Sequence, residues 1–306
     1  MKLVGDIGGT KVLLGYVDAA GEITHKCRLA SADFSSFDDL LAEYLRRFPV
    51  PVEGGCLAVA GPVADDGRSA KITNLPWIID CAALEARFGL GPLRLINDFA
   101  GVALGVTVLS QDQLITLQAG EPRVDGVRLV IGAGTGLGMA ILRGKDILPS
   151  EGGHVGFAPQ DDMQLRVWAA LQRQHGRVTA ERVISGPGLA AIHRVLADVN
   201  LDPAVIAECA LAGDAAARQT TDLFFAAYGA FAGDMAMAVM ARGGVYLAGG
   251  VTQRLLPLMA ESGFLAAFNA KAEHAEMVHR MPVWVVTDPE IGLRGAGESV
   301  RRSQVS

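Results

Sequence analysis

The sequence predicts an α/β protein with substantially parallel sheets, divided into two domains. Short apolar, strand-like runs alternate with helical patterns along its length. At 306 residues the chain exceeds what one hydrophobic core usually serves. One local pattern also occurs twice: Leu3-Val4-Gly5-Asp6-Ile7-Gly8-Gly9-Thr10 followed by Val12-Leu13-Leu14, and Leu129-Val130-Ile131-Gly132-Ala133-Gly134-Thr135-Gly136 followed by Met139-Ala140-Ile141-Leu142. Each copy reads as a strand, a glycine turn and a returning strand.

The strand-like runs are residues 2–4, 12–17, 55–60 and 93–96 in the first third, then 128–131, 139–142, 244–248 and 283–286. Between them, Phe37, Leu40, Leu41, Tyr44, Leu45 and Phe48 recur at helical spacing behind Ser35 and Ser36, two residues suited to capping. Each glycine-turn copy can open its own α/β domain, and two such turns facing one another would set two phosphate-sized loops across one cleft. Two unrelated tight hairpins are the alternative. No low-complexity linker separates the halves, and the join is expected within residues 101–112.

Composition removes several function classes. With 33 acidic and 27 basic residues and no run of Lys or Arg, the electrostatic footprint of a nucleic-acid binder is missing. Apolar residues make up 50% and charged residues 20%, which suits a globular protein with ample core. Cys27, Cys56, Cys81 and Cys209 lie far apart with no Cys-x-x-Cys pair, so neither a disulfide framework nor a thiolate zinc site is expected, and a reducing cytoplasm fits. The chain runs from Met1 straight into a strand-like pattern, so no export leader is expected. Residues 224–241 are the most membrane-like stretch, but Gly233 and Asp234 sit at its centre, where a carboxylate in lipid is costly. It reads as a buried helix, and no membrane partner is expected.

The chemistry starts at the glycine turns. Glycine removes the side chain and permits unusual φ, so successive N–H groups can converge on an anion, and both Gly8-Gly9-Thr10 and residues 132–138 have that composition. No Gly-x-x-x-x-Gly-Lys-Ser/Thr sequence occurs, which disfavours a P-loop. Residues 134–138 imitate a dinucleotide fingerprint, but Met139 to Leu142 followed by Arg143-Gly144-Lys145 reads as a returning strand rather than a helix. Asp6, at a strand end before Gly8-Gly9, can hold a hydrated Mg²⁺ beside phosphates or serve as an Asx-type turn acid. Asn97 and Asp98 follow the strand-like run 93–96, where α/β sheets present polar groups to ligands; a helix cap ahead of Phe99 is the alternative. Glu151 and His154 flank Gly152-Gly153 and can point at one ligand, while Glu181 after Thr179 reads locally as a helix-start acid.

The first motif, Asp6-Ile7-Gly8-Gly9-Thr10, resembles the first phosphate motif of the sugar kinase, Hsp70 and actin superfamily. Six ordered blocks narrow the match: Thr73-Asn74-Leu75-Pro76-Trp77, Ile96-Asn97-Asp98-Phe99, residues 132–138, Glu151-Gly152-Gly153-His154-Val155, residues 180–188 and Ala248-Gly249-Gly250-Val251. Together they resemble the bacterial glucokinase family over nearly the whole chain. The resemblance implies a two-domain ribonuclease H-like (actin-like ATPase/hexokinase) fold with a duplicated core and a central cleft that closes over the sugar. The small domain would be residues 1–108 plus about 293–306, and the large domain 109–292.

It also implies a cytoplasmic glucokinase that phosphorylates D-glucose at the 6-hydroxyl with ATP and Mg²⁺, the first step of glycolysis, without zinc and as a homodimer. Asp98 would be the catalytic carboxylate, with Asn74, Asn97, Asp98, Glu151, His154 and Glu181 on the sugar. Asp6, Gly8, Gly9, Thr10, Gly134, Thr135 and Gly136 would hold the nucleotide phosphates, Asp6 the Mg²⁺ through water, and Gly249 and Gly250 the adenosine. Lys11 is assigned no phosphate contact, because some relatives carry Asn at its position. Two other functions stay open: a kinase for another hexose or phosphoryl donor, and a non-catalytic sugar sensor. The sensor is disfavoured because the first hairpin begins at residue 1, leaving no room for a DNA-binding module.

Overall fold

The structure, a computed structural model, describes residues 1–303. Contacts divide the chain into two compact units, Met1–Ser110 together with the chain from Asp288, and Gln111–Thr287.

The first unit comprises β1 (Lys2–Ile7), β2 (Lys11–Val17), β3 (Ile23–Ala30), α1 (Phe37–Arg47), β4 (Gly55–Val59), β5 (Ser69–Lys71), β6 (Ile78–Asp80), α2 (Cys81–Phe88), β7 (Leu93–Asn97) and α3 (Asp98–Val106). Its main sheet has the order β3-β2-β1-β4-β7. Strands β1, β2 and β3 are antiparallel neighbours, whereas β4 and β7 run parallel to β1. Leu3, Val4 and Ile7 of β1 and Leu57 and Val59 of β4 are fully buried, as parallel strands covered on both faces require.

Helix α1 forms where the apolar spacing places it. Ser36 accepts the Asp39 N–H as its cap, Phe37, Leu40, Leu41 and Tyr44 are buried, and Asp38–Asp39 and Arg46–Arg47 complement the two ends of the helix dipole. Tyr44 then packs its ring 5.1 Å from Tyr16 and 5.3 Å from Phe48, closing the helix onto the sheet.

The second unit contains β8 (Leu114–Gln118), β9 (Arg128–Ala133), β10 (Leu137–Arg143), β11 (Asp146–Ser150), α4 (Asp162–His175), α5 (Gly186–Ala197), α6 (Pro203–Leu211), α7 (Ala215–Val239), β12 (Gly244–Ala248), α8 (Gly250–Met259), α9 (Phe264–Asn269), α10 (Ala275–His279) and β13 (Val283–Val286). The sheet order is β11-β10-β9-β12-β13-β8. Strands β9, β10 and β11 are antiparallel, β12 and β13 parallel to β9, and β8 antiparallel to β13.

The repeat seen in the sequence is therefore a repeat of topology: in each unit a glycine hairpin opens a three-stranded antiparallel edge and two parallel strands follow. Both sheets are mixed rather than largely parallel. A two-strand hairpin must be antiparallel, so each glycine turn forces that edge.

Helix α7 is the one helix among the described residues that is long and apolar enough to cross a membrane. It lies in the core instead. Phe224, Phe225 and Tyr228 are fully buried, and Tyr228 meets Phe264 of α9 edge-on at 5.4 Å. Asp234, the charge that argued against a span, is paired at 2.6 Å with Lys271, whose Nζ also donates to the Ala230 carbonyl at 2.9 Å.

After β13 the chain rejoins the first unit as α11 (Ile291–Ser303). The helix packs on α3 with Gly295 against the Gly101 backbone, an approach only side-chain-free positions allow. Leu293, Ala296 and Val300 bury against Val4, Leu13 and Cys56 of the sheet.

Candidate active site

In the first unit, β1 delivers Asp6 and the turn to β2 delivers Gly8, Gly9 and Thr10. The turn closes through the Gly8 N–H donating to the Lys11 carbonyl at 3.0 Å, and the Thr10 carbonyl accepts from the Ser31 N–H at 3.0 Å. The N–H groups of Gly9 and Thr10 carry no intramolecular partner among the described residues, so two consecutive donors are open to an anion. The Lys11 side chain is exposed. Asn74 is exposed beside this turn in the left-handed region, φ 65°, where Asn is one of few side chains tolerated. Its segment is tied to the sheet end by the Thr73 N–H donating to the Ala60 carbonyl at 2.8 Å.

Strand β7 ends at Asn97, and α3 begins at Asp98. The Phe99 N–H donates to Asn97 Oδ1 at 2.9 Å and to Asp98 Oδ1 at 2.8 Å, and the Asn97 amide donates to the Gly61 carbonyl at 3.4 Å. The cap reading of this pair is thus true of the backbone, and the Phe99 N–H engages Asp98 through Oδ1. Burial pushes the Asp98 carboxyl up to about 6, the Phe99 N–H opposes this, and the negative charge of Asp6 adds to it. Burial also raises Asp6, against the pull of Lys11 and Arg28. The Asp6 carboxylate lies against Gly292 in the first turn of α11.

In the second unit, the turn between β9 and β10 holds Gly134, Thr135 and Gly136. It closes through the Gly134 N–H donating to the Gly136 carbonyl at 2.8 Å, and again two N–H groups, of Thr135 and Gly136, have no intramolecular partner among the described residues. Glu151, His154 and Glu181 come together around the histidine ring, with Glu151 Oε2 3.7 Å from Nε2 and Glu181 Oε1 3.9 Å from Nδ1. Glu151 and His154 are exposed, a cluster of acceptors and an imidazole suited to hydroxyl-rich ligands. Gly249 and Gly250 start α8 with no side-chain cap, so the first N–H groups of that helix stay available.

Sequence reasoning missed how Glu181 is held. Its Oε2 accepts the Leu137 N–H at 2.9 Å, a link across 44 positions that only the fold reveals.

A divalent ion has a suitable chemical host in Asp6, a hard oxygen donor near a second carboxylate. Among the described residues no group of three or more His, Cys, Asp or Glu forms an all-protein cage. That donor set fits an ion such as Mg²⁺, held chiefly by phosphate and water.

Two mixed-sheet units, each opening on a hairpin with unpartnered N–H groups, have the topology of the actin-like ATPase fold, and comparison with known proteins narrows this to the sugar kinases. A family model described as Glucokinase matches residues 3–303. The curated Glucokinase of Salmonella heidelberg (strain SL476) is 38% identical over 314 residues, covering 98% of this chain and 97% of the relative. Among solved structures, a glucokinase from an Antarctic psychrotroph superimposes with TM-score 0.85 at 32% identity, covering 98% of both chains. A ROK family glucokinase from Streptomyces griseus, in complex with glucose and AMPPNP, gives TM-score 0.69 at 19% identity over 98% of this chain and 99% of its own, a likeness of fold. The chain belongs to the glucokinase family, and membership implies use of ATP.

Proposed function

We propose that the chain transfers the γ-phosphoryl group of ATP to the 6-hydroxyl of D-glucose, with Asp98 as the proton acceptor. The observation that carries this reading is a carboxyl at the end of a parallel strand, pushed up to about 6 by burial, with Oδ1 held by the Phe99 N–H. Such a group is ionised at neutral pH and still basic enough to orient a hydroxyl and take its proton late. The O6–Pγ bond forms as the bond from Pγ to the ADP oxygen breaks, and the proton passes from O6 to Asp98. Because the transition state is loose, most of the acceleration comes from placement and charge neutralisation.

Asn74, Asn97, Glu151, His154 and Glu181 hydrogen-bond the sugar hydroxyls, and an epimer leaves one of those groups unsatisfied. The open N–H groups of Gly9, Thr10, Thr135 and Gly136 take phosphate oxygens, with Gly8 and Gly134 closing the turns. Gly249 shapes the turn before α8, and Gly250, whose Cβ position meets nothing within 4 Å, leaves room for a flat base. Asp6 holds Mg²⁺ through water, and the ion when bound neutralises phosphate charge.

We further read the two units as the small and large domains of a cytoplasmic homodimer, a state that light scattering would test. Incubation of the purified protein with Mg-ATP and glucose, mannose, fructose or N-acetylglucosamine, followed by measurement of ADP, tests the activity. Glucose-dependent ADP release is expected, and its absence would remove the proposal.

A further inference from the structure

Gly136 has a φ outside the left-handed region, so its backbone alone would accept an alanine. What it lacks is room. A Cβ there would lie 2.6 Å from Glu181 Oε2. That same oxygen accepts the Leu137 N–H at 2.9 Å, while Oε1 turns toward His154. The segment carrying Glu181 is fastened to the turn a second time, by the Gly186 N–H donating to the Gly134 carbonyl at 2.8 Å, and it is braced internally by Ser185 Oγ donating to the Glu181 carbonyl at 2.7 Å.

The first unit shows a parallel arrangement. A Cβ at Gly9 would meet the Thr73 carbonyl at 3.2 Å and Asn74 Cβ at 3.9 Å. In each unit, then, the side-chain-free position of an anion-binding turn lies against a segment that carries a proposed sugar ligand.

We infer that residues 134–137 are a positioning device shared by two ligands. The open N–H groups of Thr135 and Gly136 take phosphate, while the Leu137 N–H and the vacant Cβ position of Gly136 hold the Glu181 carboxylate in place for the sugar. Gly136 is a positioning residue that acts through Glu181. A phosphate that settles the turn also settles Glu181, so nucleotide and sugar binding are linked, and the linkage must be reciprocal. This rests on the reading of Glu181 as a sugar ligand.

The test is calorimetric titration of wild type, Gly136→Ala, Glu181→Ala and the double variant with glucose, without nucleotide. A glycine serving only as a phosphate cradle would leave this affinity untouched. Gly136→Ala is instead expected to weaken glucose binding roughly tenfold or more, the scale of one charge-assisted hydrogen bond lost from alignment. It should add less than about twofold in the Glu181→Ala background, because residues that act as a unit are not additive.

Glucose affinity of Gly136→Ala equal to wild type, or full additivity in the double variant, would overturn the inference. The added methyl meets only the far end of a flexible side chain, so folding should survive. If it does not, titration of Glu181→Ala with a non-hydrolysable ATP analogue in the absence of sugar decides: a change of about fivefold or more supports the linkage, and unchanged affinity overturns it. A wild-type protein that binds no glucose would refute the underlying reading and this one with it. Wild-type binding with an indifferent Gly136→Ala would refute the linkage alone.

Discussion

Replacing Asp98 with Asn should push activity and stability in opposite directions. In the fold this carboxyl titrates near 6 rather than 3.8, chiefly because it is buried. A difference of that size corresponds to about 3 kcal/mol at most, since each tenfold change in proton affinity is worth about 1.4 kcal/mol. The sign follows from proton linkage. Between about pH 4 and pH 6 the folded chain holds a proton on Asp98 that the unfolded chain has released, so this group makes stability fall as pH rises through that window. Above about pH 6 the full cost is present.

Asn keeps the Oδ1 acceptor for the Phe99 N–H and carries no charge. The variant should therefore be more stable than wild type at about pH 7.5, by up to about 3 kcal/mol, with the gain vanishing near pH 4. Its turnover should drop about 10²- to 10⁴-fold, the range for loss of a positioned base. Wild-type kcat/KM for glucose should fall roughly tenfold from about pH 7 to about pH 5, following ionisation of a group near 6, and the residual activity of the variant should lack that limb. Urea denaturation at several pH values and a coupled ADP assay measure both arms. Near-normal turnover in Asp98→Asn, or identical stability of the two proteins at every pH, would refute the reasoning.

Glu151→Gln and His154→Ala should raise KM for glucose about tenfold each while kcat changes less, because a lost sugar hydrogen bond weakens binding before it affects phosphoryl transfer; steady-state kinetics give the split. Gly249 combines φ 94° and ψ 153° with a Cβ position that would strike the Ala133 carbonyl. Gly249→Ala should therefore cost roughly 1–3 kcal/mol in urea unfolding and raise KM for ATP. Asp234→Ala leaves the Lys271 ammonium, almost wholly buried, without its counter-ion. A loss of about 3 kcal/mol is expected, visible as a lower urea midpoint.

How much was legible in the sequence depended on range. Strands β1, β2, β4, β9, β10, β12 and β13 announce themselves because they are largely buried and nearly continuously apolar, and β7 is marked by Leu93, Leu95 and Ile96. β3 escaped because five of its eight residues are Thr, His, Lys, Cys and Arg and only Leu29 is buried, so its position comes from pairing with β2. The short pair β5–β6 and the strands β8 and β11 are likewise made by their partners. Helix α1 was readable to within a residue because its spacing and its Ser36 cap are both local. The return of α11 was available only from family resemblance, since contacts between Gly295 and Gly101 leave no mark on either segment alone.

The candidate site divides the same way. Composition revealed the turns at Gly8-Gly9-Thr10 and Gly134-Thr135-Gly136, but not which N–H groups stay open. At Asn97-Asp98 local sequence posed a choice between cap and ligand, and the structure shows the cap: both side chains accept the Phe99 N–H. The hold of Leu137 on Glu181 could not be read, because a hydrogen bond from a backbone N–H has no residue type of its own.

The most direct test is to identify the product. The protein would be incubated with Mg-ATP and uniformly ¹³C-labelled glucose and followed by phosphorus and carbon NMR. A sugar phosphate whose phosphorus couples to C6, formed by wild type and nearly absent with Asp98→Asn, is the expected result. No sugar phosphate from wild type, phosphate on a different carbon, or equal yield from the variant would contradict it.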